Sequence, residues 1–191
     1  MSSRQQAGQS AAKPKSARQT VIRVKQPAKV WSPKPARKLT KAYESKLHGL
    51  VRDYASSDVM RHISIVRQGI PARSVSVIAG GLGLSKKELA TGLDMSVATL
   101  DRKVRKRVVL STPESERVAG LMQLVGIVER WAEELGDGAP ENFVPTTWLG
   151  RWLKTANPAL GGAQPLQLMD TAEGRTLVTQ VLESLETGAY W

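Results

Sequence analysis

The fold follows from residues 152–166, which read Trp152-Leu153-Lys154-Thr155-Ala156-Asn157-Pro158-Ala159-Leu160-Gly161-Gly162-Ala163-Gln164-Pro165-Leu166. Asn157 precedes a proline, which pushes its backbone out of the α region and ends the preceding helix. Gly161 and Gly162 form a turn open to positive φ. Pro165 suits the first position of a new helix, because its missing N–H costs nothing there. The run therefore predicts a helix end, a glycine turn and a second helix start.

A tryptophan helix leads into this turn. Trp148 and Trp152 are four residues apart, so they share one face of a helix. The apolar residues around the turn must face either a core or a partner, and they are Leu153, Leu160, Leu166, Leu168 and Met169.

The sequence of residues 152–166 resembles the toxin-binding domain of the Xre/MbcA/ParS antitoxins, which belong to bacterial type II toxin–antitoxin pairs. Ala156 stands where that family usually has proline, and Gln167 where it usually has an acid. The segments 170–174 and 186–188 also resemble the family, and the likeness extends from about Ser57 to the C-terminus. The matching residues of the run are Trp152, Leu153, Asn157, Ala159, Leu160, Gly161, Gly162, Pro165, Leu166 and Leu168.

The resemblance implies an antitoxin that binds and blocks a cognate toxin with its C-terminal domain. Toxins of this family are commonly enzymes of the RES or ParT type, which act on NAD or use it for ADP-ribosylation, and we expect the RES type. The two terminal aromatic residues offer large, rigid anchors for a partner's pocket, although packing back on the body is the alternative. We expect toxin contacts at Trp152, Asn157, Leu160, Gly161, Gly162, Pro165, Leu166, Tyr190 and Trp191.

Composition limits the function classes. A chain of 191 residues with 41% hydrophobic content forms one modest domain or two small ones with tails. The absence of cysteine excludes disulfides and thiolate metal sites. No apolar run is long enough to span a membrane, so we expect a cytoplasmic protein without a membrane partner.

The positive charge is confined to the first third of the chain. Residues 1–56 carry 13 Lys and Arg against two acids, a net charge of +11, whereas residues 57–191 carry 15 of each sign. Residues 1–38 are rich in Ser, Gln, Ala, Pro and Lys and cannot form a packed face, so we expect a disordered basic arm. Such an arm favours nucleic acid as a partner, and the alternative is that its charge serves only solubility.

A helix-turn-helix is predicted in the middle of the chain. Ser85 and Glu88 have the spacing of a capping box, which opens a short helix through Gly92. A tight turn at residues 93–95 follows, and Ser96 caps a second helix to about Arg107. The sequence of this segment resembles the Xre type of helix-turn-helix, which usually has glycine where this chain has Asp94. The apolar contacts between the two helices should come from Leu89, Leu93, Met95, Leu100 and Val104.

The second helix of the motif is the expected recognition helix, and residues 102–107 contain five cations. Asp101 is an acid near the expected phosphates, and it either pairs with Arg105 at i+4 or accepts from a cytosine amine. The alternative for the whole helix is an ordinary solvated cationic face. The DNA contacts we expect are Lys86, Ser96, Ala98, Thr99, Arg102, Lys103, Arg105 and Lys106.

The remaining helices follow from caps and apolar spacing. A helix from Leu39 to Ala55 precedes one from Val59 to Gln68, in which Met60, Ile63 and Val66 should face inward. Thr112 should cap a long helix ending at Gly136, with its main apolar stripe on Val118, Leu121, Met122, Val125, Val128, Trp131 and Leu135.

Leu124 and Ile127 lie off that stripe, and they indicate a second buried face that either joins another chain or packs in the core. A last helix begins at the Thr171 cap. Its inward side should carry Leu177, Val181, Leu182 and Leu185.

No constellation of residues supports catalysis, a metal site or a cofactor. His48 and His62 are the two histidines, and neither has a metal-ligating neighbour at useful spacing. We therefore predict an all-α binding protein and not an enzyme. Its regions are a disordered basic arm (1–38), a helical region with the helix-turn-helix (39–110), a connecting and dimerisation helix (111–136) and a toxin-binding domain (137–191).

The predicted function is an antitoxin that inhibits its toxin and represses its own operon as a homodimer on operator DNA. The alternative is a stand-alone helix-turn-helix regulator whose C-terminal domain only dimerises. A nucleoid-like binder dominated by the basic arm is a third possibility, distinguished by sequence-independent binding with a steep salt dependence.

Overall fold

The structure is a computed structural model that describes residues 41–55, 57–136 and 143–186. The predicted arm at 1–38 and the terminal aromatic residues 190 and 191 lie outside this range. The described residues form helices and no strand, which confirms the all-α prediction. The helices are α1 (Lys41–Ala55), α2 (Val59–Gln68), α3 (Arg73–Gly81), α4 (Lys86–Gly92), α5 (Val97–Lys106), α6 (Thr112–Leu135), α7 (Pro145–Trp152) and α8 (Ala172–Glu186), with 3₁₀ turns at Pro158–Leu160 and Pro165–Leu168.

Helix α6 is the central element, because both of its apolar faces are buried. Val118, Leu121, Val125 and Val128 on the main stripe are inaccessible to solvent, and so is Leu124 on the second face. The helix packs against α1 and α2 as well as α7 and α8. The second face is therefore occupied within the chain, which supports the core-packing interpretation over a shared interface.

Both ends of α6 differ from the prediction. Its N-cap is Ser111 and not Thr112, because the Glu114 carboxylate accepts hydrogen bonds from the N–H (2.7 Å) and the hydroxyl (2.8 Å) of Ser111. Both hydrogen bonds need the acid three residues after the cap. At the other end, Leu135 is half exposed in the final turn.

Helices α1 and α2 are joined by a histidine. Asp58 caps α2, its side chain accepting a hydrogen bond from the N–H of Arg61 at 2.7 Å. The His62 ring stacks on Tyr54 at a centroid distance of 4.1 Å, and its Nε2 lies 2.6 Å from the carbonyl oxygen of Tyr54. This contact turns the Ile65 and Val66 side of α2 towards the core. The predicted inward positions Met60 and Ile63 are consequently exposed, although Val66 is partly buried as expected.

The helix-turn-helix has the predicted form. The Ser85 hydroxyl accepts from the Glu88 N–H at 3.0 Å, and a Glu88 carboxylate oxygen accepts from the Ser85 N–H at 2.8 Å, which completes the capping box. Asp94 has φ of 47°, so aspartate adopts the left-handed conformation that the turn requires. Of the predicted contacts, Leu89, Leu93, Met95 and Leu100 are buried and Val104 is partly buried.

The C-terminal helices pack through tryptophans and small residues. Trp148 and Trp152 of α7 stack with centroids 6.3 Å apart, and Trp148 meets Trp131 of α6 edge-on at 6.0 Å. Thr171 caps α8 as predicted, accepting from the Gly174 N–H at 3.1 Å.

The prediction of which residues of α8 face inward is wrong at one position. Leu177 is 42% exposed, whereas Val178 is fully buried. The buried stripe runs through Val178, Val181 and Leu182, with Leu185 partly buried, which is the spacing of one helical face.

Gly150 brings α7 against the end of α3. A Cβ built on this buried glycine would lie 1.8 Å from the Leu82 carbonyl oxygen, so only glycine fits the contact. Gly49, near the middle of α1, is exposed and has no atom within 4 Å of an added Cβ. Alanine substitutions at these two glycines are therefore expected to have opposite effects on stability.

Replacing Gly150 by alanine should lower the free energy of unfolding by about 2–3 kcal/mol, because the helix must move away from the Leu82 backbone. Gly49→Ala should leave the stability unchanged or raise it by up to about 1 kcal/mol, as expected for alanine in an open helix position. Urea unfolding followed by circular dichroism measures both. Equal stability of Gly150→Ala and the unsubstituted chain would contradict this close contact.

Candidate functional site

One face of α5 is open to solvent. Ser96 caps the helix with its hydroxyl 3.4 Å from the Thr99 N–H. Of the residues predicted to read DNA from this helix, Ser96, Ala98, Arg102, Arg105 and Lys106 are exposed and Thr99 is partly exposed. The buried side of α5 is anchored by Leu100. The predicted recognition residues therefore lie together on the free face.

The cations of this region fall into two groups. Lys86 of α4 forms an ion pair with Asp101, and Lys103 forms one with Glu114 at the start of α6. No described acid lies within ion-pair distance of the other four cations of residues 102–107, which are Arg102, Arg105, Lys106 and Arg107. The arginine and lysine side chains that remain available for an anion are thus those of the exposed face.

The predicted pairing of Asp101 with Arg105 is wrong, since Asp101 binds Lys86 from the preceding helix. This contact neutralises the acid that stood near the expected phosphates. It also joins α4 to α5 by a polar link beside their apolar contact.

Two carboxylates hold the ends of the motif. Hydrogen bonds from the backbone and hydroxyl of Ser85 and from Lys154 lower the pKa of Glu88 to about 2. Burial acts to raise the pKa of Glu114, but hydrogen bonds from Lys103 and Ser111 outweigh it, and the net shift is downward. The pKa values of both carboxyl groups are lowered in the folded state. Their stabilising contribution is therefore present above the ordinary pKa and is lost as the pH falls from there through the lowered pKa.

The glycine turn is built around Asn157. Its backbone N–H donates to the Ala163 carbonyl at 3.0 Å, and its side-chain oxygen accepts from the Ala159 N–H at 2.9 Å. Gly162 N–H donates to the Asn157 carbonyl at 3.0 Å. Gly161 and Gly162 have φ of 64° and 85°, which agrees with the predicted left-handed turn.

The predicted toxin-binding residues divide by exposure. Gly161 and Gly162 are exposed, with nothing within 4 Å of an added Cβ, and Asn157 is partly exposed. In contrast, Trp152, Leu160, Pro165 and Leu166 are buried in this chain and support the turn from below. Tyr190 and Trp191 lie outside the described residues, so the terminal anchors stay a prediction.

The glycine turn and the recognition helix both adjoin α4. Leu166 packs closely against Gly92, and a Cβ added to Gly92 would lie 2.4 Å from the Leu166 Cγ. Lys154 forms an ion pair with Glu88 at 3.1 Å. Sequence reasoning missed both contacts, because they join residues more than sixty positions apart. The sequence identified Gly92 only as the end of a helix and not as a position of close packing.

Neither surface resembles a catalytic or metal site. Within residues 41–55, 57–136 and 143–186, no cluster of His, Asp and Glu could hold a metal ion. In the same part of the chain, no helix has the length and apolar character needed to cross a membrane. The geometry offers two exposed surfaces, one cationic on α5 and one formed by the glycine turn.

Comparison with known proteins matches these two regions. Residues 61–123 match the antitoxin Xre-like helix-turn-helix domain, and residues 135–188 match the antitoxin Xre/MbcA/ParS C-terminal toxin-binding domain. A relative from Sphingobium sp. (strain YBL2), named Prs ADP-ribosylating antitoxin, is 36% identical over 137 residues, which cover 72% of this chain and 84% of the relative. The chain therefore belongs to the Xre/MbcA/ParS family of antitoxins.

Proposed function

We propose that this antitoxin binds operator DNA through α5 and blocks an ADP-ribosylating toxin through the exposed glycine turn. The observation that carries the DNA half is the free face of α5, where Arg102, Arg105 and Lys106 have no described acid partner. The observation that supports the toxin half is the exposed turn at Gly161 and Gly162, within the residues that match a toxin-binding domain.

The face of α5 has the residue types needed for base reading. Small and polar side chains at Ser96, Ala98 and Thr99 lie near the helix start, where a recognition helix contacts base edges. Arg102 follows one turn later, and arginine is suited to bidentate contacts with guanine. Lys86 and Lys103 are within reach of the same surface. Because each already has an acid partner, we assign them to phosphate positioning or to the fold and not to base reading.

The basic arm at 1–38 would add phosphate contacts that carry no sequence information. We assign DNA binding to the region 39–110, the connection to 111–136 and toxin binding to 137–191. A homodimer in the cytoplasm would suit a palindromic operator, because protein symmetry is mirrored in the spacing of half-sites. In this arrangement the antitoxin represses its own operon.

The nature of the toxin is suggested by the relative. The name of that relative associates an antitoxin with ADP-ribosylation of Prs. We therefore favour a toxin that uses NAD for ADP-ribosylation over the RES type expected from the sequence alone. The exposed glycines would let the backbone of such a partner approach closely.

Replacing Arg102 and Arg105 by alanine should weaken operator binding by well over tenfold, because each base-reading contact contributes about 1–3 kcal/mol. Toxin inhibition should not change. The measurement is a gel-shift titration with operator DNA, alongside an inhibition titration of the toxin.

The matched control is the pair Arg61→Ala and Arg130→Ala, which removes the same charge from exposed positions on α2 and α6. If both double variants lose the same affinity, net charge and not the face of α5 decides binding. That result would favour a nucleoid-like binder.

Replacing Ala159 by arginine should reduce toxin binding by about 2 kcal/mol or more, because a long side chain would project from the exposed surface of the turn. Operator binding should remain at its original level. The measurement is residual toxin activity against antitoxin concentration. The Arg102/Arg105 variant is the reciprocal control, since it should lose DNA and keep the toxin. Full inhibition by Ala159→Arg would move the toxin interface away from the turn.

Deleting Ala189 to Trp191 tests the terminal anchors separately. If Tyr190 and Trp191 fill a pocket of the toxin, as buried aromatic residues commonly do at interfaces, inhibition should fall sharply while helicity and operator binding stay unchanged. The readout is NAD consumption by the toxin with each antitoxin. Equal inhibition by the shortened and full-length chains would leave the glycine turn as the main contact.

A further inference from the structure

Arg117, in the second turn of α6, joins three backbone segments with one side chain. Its Nη1 donates to the carbonyl oxygens of Leu93 at 3.2 Å and Asp94 at 3.0 Å, and its Nε donates to the carbonyl of Asp170 at 3.2 Å. Its Nη2 also lies 3.9 Å from the Asp94 carboxylate. The guanidinium therefore connects the turn of the helix-turn-helix to the loop before α8.

The turn needs such a partner. Leu93 and Asp94 follow the last residue of α4, where carbonyl groups lack helical partners and the helix dipole is negative. A cation that donates to these carbonyls satisfies both conditions. Asp94 is also one of two described non-glycine residues with positive φ, a conformation that is unfavourable for aspartate without compensating contacts.

The other end of the bridge is fixed independently. Arg175 of α8 donates to the carbonyls of Met169 at 3.2 Å and Asp170 at 3.3 Å, and its Cδ would lie 2.6 Å from a Cβ on Gly120 of α6. Arg175 thus holds the same loop to α6 without reaching the helix-turn-helix. Arg117 is the one of these two arginines that contacts Leu93 and Asp94.

We propose that Arg117 is a positioning residue for DNA recognition. It holds the turn that sets the angle between α4 and α5, and it anchors that turn to the toxin-binding domain at Asp170. The proposal rests on the proposed DNA-binding function. Nε and Nη1 of Arg117 donate to the chain's own carbonyl groups, and we assign Arg117 this positioning role and no DNA contact.

The test uses the full chain with Arg117→Met, which keeps the length of an unbranched stem and loses all five donors. Operator affinity should fall about tenfold, in the range expected for residues that act without ligand contact. The slope of log affinity against log salt should not change, whereas loss of a phosphate contact would reduce it by about one. Arg175→Met is the matched control and should bind operator like the unsubstituted chain.

A rescue distinguishes positioning from general destabilisation. Glycine adopts the left-handed conformation without penalty, so Asp94→Gly combined with Arg117→Met should recover at least part of the lost operator affinity. Arg117→Lys serves if the methionine variant does not fold. It keeps the charge but cannot reproduce the guanidinium fork, and it should still bind operator more weakly than the unsubstituted chain.

Operator affinity equal to that of the unsubstituted chain in Arg117→Met, or in Arg117→Lys where that variant replaces it, overturns the proposal. So does a salt slope reduced by one, because Arg117 would then be a phosphate contact. Absence of rescue by Asp94→Gly overturns it as well. Failure of the unsubstituted antitoxin to bind operator DNA would instead refute the proposed function itself.

Discussion

Burial of both apolar faces of α6 holds helices from both ends of the described chain against one another. This 24-residue helix contacts the N-terminal helices α1 and α2 on one side and α7 and α8 on the other. Its inaccessible leucines and valines each contribute roughly 1.5–3 kcal/mol by leaving water. The first matched family domain ends within this helix at residue 123, and the second begins at its last residue, 135. The helix-turn-helix and the toxin-binding domain therefore share a core element.

Shared packing places the two candidate surfaces on a common support. Gly150 against Leu82, Leu166 against Gly92, and Lys154 paired with Glu88 all connect the C-terminal helices to the neighbourhood of α4. The glycines permit the close contacts, whereas the ion pair lies at the surface and contributes little to stability. The cations of α5 that have no described acid partner and the glycine turn are both exposed to solvent.

Much of this could be predicted from the sequence because it is local. The Ser85–Glu88 capping box, the left-handed Asp94 and the glycine turn each depend on residues within a few positions of one another. The antitoxin family was predicted from the resemblance of residues 152–168 and is confirmed by the comparisons.

The remainder depends on contacts between distant residues. Periodicity showed that α2 and α8 have apolar faces but not which way each helix is rotated, so Ile63 and Leu177 were assigned inward and are exposed. The His62–Tyr54 stack decides the rotation of α2, and nothing local indicates it. For the same reason the ion pair of Asp101 with Lys86 was missed.

We infer that α6 makes the helix-turn-helix and the toxin-binding domain one cooperative unit, because helices of both regions pack against it. Native-state hydrogen exchange on the isolated antitoxin tests it directly, because it measures the free energy of opening at each amide. Amides of α3, α4, α6, α7 and α8 that exchange most slowly should share one opening free energy, equal to that of global unfolding. Slow exchange in α3 and α4 together with a much lower opening free energy across residues 145–186 would contradict the claim.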